Sequence, residues 1–135
     1  MRLDMTASTP LRSGKLAILL VCLLLEGCVQ YTYPWKDSEA MRRDLLRVTP
    51  LRSSLGEVEQ KLRARHVRLQ KSLNTGFLRQ PDSGPSEVVG EKSIWAHLGG
   101  YRSGFFTTTT IDAYWGFDGQ EKLIEIWVWK VDDSL

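Results

Sequence analysis

Hydrophobic positions change their spacing as the chain proceeds. Residues 16–25 are continuous, LAILLVCLLL, behind Arg12 and Lys15. A ten-residue helix rises only about 15 Å against a hydrocarbon core of about 30 Å, so the run predicts a secretory signal rather than a membrane span. Residues 29–36, VQYTYPWK, then follow neither a helical nor a strand period and predict a tether. From Asp37 the spacing becomes helical. Met41, Leu45 and Val48 fall at i, i+4, i+7 behind a capping Asp37, and Thr49-Pro50 ends the pattern. Ser54 and Glu57 make the S-x-x-E of a capping box before Leu55, Val58 and Leu62. Glu57 with Lys61 and Glu59 with Arg63 pair on the outer, solvated face.

Residues 66–78 carry no clear period and are read as irregular, and Pro81, Asp82, Gly84 and Pro85 mark residues 80–86 as an exposed loop. Beyond it the period shortens to two, with β-branched and aromatic residues predicting strands at 93–98, about 105–117, and 123–131. A four-residue loop at 118–121 would set Phe117 opposite Lys122, Trp115 opposite Ile124, Ala113 opposite Ile126 and Ile111 opposite Val128. One face becomes wholly apolar; the other carries Thr110, Asp112, Tyr114, Glu125, Trp127 and Trp129. The expected fold is α+β, with two N-terminal helices packed on one face of a three-stranded antiparallel sheet. The expected organisation is a signal peptide (1–27), a tether (28–36) and one small domain (37–135).

Charge excludes one class of partner. Lys plus Arg number 18 against 16 Asp plus Glu, and fifteen against fourteen beyond residue 27, which provides no global field for a phosphate backbone. Nucleic acid is not an expected partner. The two cysteines are Cys22, inside the apolar run, and Cys28, at its end, so the folded part has no disulfide to form.

Chemistry is sparse. His66 and His97 stand at no metal-ligand spacing, no G-x-S-x-G is present, and Gly99-Gly100 lacks the surroundings of a phosphate loop. Asp112 and Glu125 share a sheet face, an ordinary cross-strand arrangement that implies no deep cleft. No enzyme, metal or cofactor is expected. Tyr114, Trp127 and Trp129, with Glu125 beside them, form the candidate partner-binding surface, because the helices do not need that face and such aromatics are enriched in binding hot spots. The alternatives are that the tether or the loop at 80–86 covers them, or that they only stabilise cross-strand pairs. Tyr31, Tyr33 and Trp35 suit either the headgroup level of a membrane or a tuck into the domain.

Two resemblances add to this. Leu25, Glu26, Gly27 and Cys28 resemble the lipobox of bacterial lipoproteins, with Glu26 where a small residue is usual. This implies diacylglyceryl on the Cys28 sulfur, cleavage before Cys28 and a membrane anchor of more than one acyl chain. Val29, rather than Asp, follows the cysteine, as in lipoproteins sorted to the outer membrane, so the expected location is the periplasmic side of the envelope. Residues 49–131 resemble the SmpA/OmlA (BamE-type) family of small outer-membrane lipoproteins of the β-barrel assembly machinery, through S-S-L-G-E-V-E-Q-K-L, Ile94-Trp95 and W-G-F-D-G-Q-E-K-L. Arg52 stands where that family usually has a glycine, and its final-turn glycine falls later than Gly119. The resemblance implies a non-enzymatic domain that binds an envelope protein. An inhibitor or immunity-type lipoprotein, blocking an enzyme through the same sheet face, is the alternative.

Overall fold

Asp37 opens helix α1 (Ser38–Val48) by accepting a 2.6 Å hydrogen bond from the Ala40 amide. The computed structural model describes residues 37–134, all within one compact unit, so the signal peptide, Cys28 and the tether lie outside the described residues. Met41 and Leu45 are the buried positions of α1. Helix α2 (Leu55–Ala64) begins with a complete capping box between Ser54 and Glu57 and buries Leu55, Val58 and Leu62.

Six strands follow: β1 (Arg68–Ser72), β2 (Phe77–Arg79), β3 (Glu87–Val89), β4 (Lys92–Arg102), β5 (Thr107–Phe117) and β6 (Leu123–Ser134). The sheet is therefore four-stranded and antiparallel, in the order β1-β4-β5-β6, with β2 and β3 forming a separate two-stranded ribbon. This corrects the three-stranded expectation. Strand β1 reads RLQKS, lies at the sheet edge beside β4 and buries none of its residues. A strand without a buried face has no apolar alternation to betray it. The ribbon strands have three residues each, too few to establish a period.

The β5–β6 register also differs from expectation. Phe117 pairs with Leu123 across a five-residue loop, and a bulge then sets Gly116 opposite Glu125, so Ile124 is the extra residue. Trp115 meets Ile126, Ala113 meets Val128, and Ile111 meets Lys130. Ile124, expected to face the helices, is 40% exposed, and Leu123 is buried in its place. The loop owes its length to Asp118, whose Oδ1 accepts from the amides of Gln120 and Lys122, while Glu121 takes φ 61°. Arg52 takes φ 74° in the link between the helices, and that link hydrogen-bonds to the start of β6 through Arg52 N to Leu123 O and Leu123 N to Ser53 O, both 2.8 Å.

The core lies between the helices and one sheet face: Ile94, Ala96, Ala113, Trp115, Phe117, Leu123 and Ile126 are almost wholly buried with Val58 and Leu62. A buried hydrogen bond ties the layers together, Trp115 Nε1 donating to Thr49 Oγ1 at 3.0 Å while the Thr49 hydroxyl donates to Leu45 O at 2.9 Å. Thr49, which ends α1, thus also satisfies the largest polar group in the core.

Candidate interaction face

The opposite sheet face is built by period-two alternation from the same strands. Trp95 pairs with Tyr114, Tyr114 with Trp127, and Asp112 with Trp129. The rings of Tyr114 and Trp127 lie 5.4 Å apart, and Trp127 stacks on Trp129 at 5.5 Å and 16°. The ribbon covers one side of this row. Phe77 is 4% exposed and lies 5.5 Å from the Tyr114 ring and 6.1 Å from Trp127, with which it is nearly parallel. It fits because Gly116 lacks a side chain; a Cβ there would come within 2.9 Å of Phe77 Cε1.

Exposure is graded along the row. Tyr114 and Trp127 are half-buried, whereas Trp129 is 37% exposed. Beside Trp127 and Trp129 is a groove of about 450 Å³, completed by Ser38 and residues 80–82. Burial pushes the Tyr114 hydroxyl above its usual range, the Asp112 carboxylate adds to the shift, and a hydrogen bond with Trp95 partly opposes it. Tyr114 therefore stays neutral at any physiological pH, and the row is an uncharged aromatic surface.

Glu125, the fourth candidate, is held from two sides. Arg42 of α1 donates to its Oε1 from Nε at 3.0 Å and Nη2 at 2.7 Å, and Arg79 of β2 approaches its Oε2 at 3.7 Å while pairing with Glu87. Arg42 Nε also donates to Ile126 O at 2.8 Å, occupying a carbonyl of the edge strand. Burial alone would lower the Arg42 pKa, but the hydrogen bond and charge of Glu125, with Glu39, raise it overall. Glu125 thus joins helix, edge strand and ribbon. Its role as placed is to fix the frame around the tryptophans.

Asp112 hydrogen-bonds His97 across β4 and β5, Oδ1 to Nδ1 at 3.0 Å. It pairs with Trp129, four positions along β6 from Glu125, a separation of about 13 Å at strand rise. Each carboxylate thus has its own partner, and they do not share a reaction centre. Among the described residues no group of three or more His, Cys, Asp or Glu could hold a metal ion.

Phe77, Arg42 and Arg79 were not picked out from the sequence. Phe77 is a lone aromatic in a three-residue strand, and the two arginines reach Glu125 only through tertiary packing. Cys28 lies outside the described residues. Compared with family models, curated proteins and solved structures, the chain shows no significant match to any.

Proposed function

We propose that this protein is a non-enzymatic envelope lipoprotein, anchored by lipid on Cys28 to a membrane facing the periplasm, the outer membrane in the first instance, and that its domain binds a protein partner. The observation that carries the binding role is the aromatic row ending in exposed Trp129 beside a groove. A stacked, pre-ordered tryptophan pair presents a large apolar area with little side-chain entropy left to lose, which is the character of a hot spot. The SmpA/OmlA-like reading draws support from two backbone positions. Arg52, where that family usually has a glycine, and Glu121, later in the final turn than Gly119, both adopt positive φ, a conformation favouring glycine. A barrel-assembly or scaffold component is accordingly the proposed partner.

A photo-crosslinking amino acid at position 129 tests this in living cells, with the exposed Gln60 of α2 as the reference position. The expected outcome is one defined envelope adduct from position 129 and none from position 60. Adducts equal at both positions, or none at either, count against the face. An adduct to a secreted hydrolase or toxin would favour the inhibitor alternative. The anchor is tested separately: Cys28→Ala abolishes incorporation of labelled fatty acid, and persisting label would exclude Cys28 as the acceptor.

A further inference from the structure

The β4–β5 hairpin ends in Ser103, Gly104, Phe105 and Phe106, and its two phenylalanines are 90% and 71% exposed. Adjacent aromatics this bare are unusual on a soluble surface. We propose that this tip enters the bilayer to which the chain is anchored, giving the domain a second membrane contact that sets its orientation. The inference rests on the reading of Cys28 as the lipid-bearing residue.

Three features point to a bilayer rather than a protein pocket. The first is location. Helix α1 runs antiparallel to β6: Ser38 shares the groove with Trp127 and Trp129, while Arg52 and Ser53, beyond the other end of α1, bond Leu123. The described residues therefore begin on the side of the domain toward the end of the sheet where Thr107 pairs with Ser134 and the hairpin turns. From the level of Trp129 to that of Ser134 is about 17 Å at strand rise. Nine residues from Cys28 to Asp37 span up to about 30 Å, so anchor and tip can reach one surface together.

The second is polar satisfaction. The amides of Ser103 and Gly104 donate to Thr107 O at 3.0 and 3.3 Å, and Arg102 Nη2 donates to Phe105 O at 3.0 Å. These groups carry their partners with them, which lowers the cost of leaving water. The third is the collar behind the tip. Arg102 is a cation on an apolar stem that can stay at the headgroups, and Tyr101 lies at the same end with Lys130 Nζ 5.9 Å from its ring centre. Asp133 pairs with Thr108, and Asp132 accepts from the Thr109 hydroxyl. These carboxylates limit entry to the two phenylalanines and make the insertion apolar rather than electrostatic.

The test uses the lipid-bearing chain purified from cells and reconstituted in phosphatidylcholine vesicles. Processing removes Cys22 and the thioether blocks Cys28, so Phe105→Cys offers a single thiol for an environment-sensitive fluorophore; Gln120→Cys, in the β5–β6 loop at the other end of the sheet, is the reference. The expected result is a blue shift and quenching by brominated lipid at position 105 and neither at position 120. Phe105→Ser with Phe106→Ser should also speed transfer of the chain between vesicles by about tenfold or more, given the apolar area of two phenylalanines. A probe at position 105 that stays in water while Cys28 carries fatty acid overturns the tip proposal and leaves the anchor standing. Label on Cys28 itself signals failure of the anchor reading. Added vesicles then judge the tip alone: quenching at position 105 supports it, and its absence overturns it.

Discussion

Trp115 and Trp127 sit on paired strands, one residue out of register and so on opposite faces of one sheet. Trp115 is wholly buried under the helices, and its indole N–H is satisfied by Thr49. Trp127 is half-buried, covered on one side by a ribbon that contributes Phe77, and continues outward to the exposed Trp129. The helix side closes two layers over a continuous core. The ribbon side covers its aromatics only in part, with three-residue strands hung on Gly116 and the Arg79–Glu125 contact. One face spends its apolar area on stability and the other leaves some available for binding, a division set by what lies over each rather than by composition.

Trp115→Ala should lower unfolding stability by roughly 3–5 kcal/mol in urea denaturation, since it removes the largest fully buried side chain and leaves Thr49 without its donor. Gly116→Ala should cost about 1–3 kcal/mol through overpacking against Phe77. That loss should be local: hydrogen exchange is expected to rise in the ribbon at residues 77–79 and 87–89, with α1 and α2 as protected as before. A uniform rise would mean that the ribbon is as integral as the helices. The smallest effect runs the other way. Arg52→Gly should gain roughly 0.5–1 kcal/mol by relieving a left-handed backbone, because the lost Arg52–Asp118 contact is a surface pair of 3.3 Å at a largely exposed arginine. A shift of the urea midpoint to higher concentration checks it.

Much of the helical half was legible in the sequence, because caps and stripes are local signals. Asp37, the Ser54–Glu57 box and the apolar positions of both helices all have partners within one or two turns. The three long strands were legible through alternation, and the same alternation set Tyr114, Trp127 and Trp129 together on one face. Strand β1 was not, since of its two core-side residues, Leu69 and Lys71, only Leu69 is apolar. Loop length and bulges are equally silent: the fifth loop residue and the extra residue at Ile124 each moved the register by one, and together they exchanged Ile124 for Leu123 in the core. The tip phenylalanines were read as the start of a strand, because exposure at a turn has no signature in hydrophobicity. What encloses the candidate face, namely Phe77, Arg42 and Arg79, depends on contacts between distant segments, and no local pattern carries them.

If the aromatic face is available for binding rather than needed for stability, the urea midpoint of Trp129→Ala will show it. Trp129 is exposed and stacks only on Trp127 among the described rings. Its removal should cost well under the roughly 3–5 kcal/mol of emptying a buried tryptophan site, with a midpoint close to that of the unaltered chain. A midpoint lowered as far as that of Trp115→Ala would make the second face another core and overturn the proposed binding role.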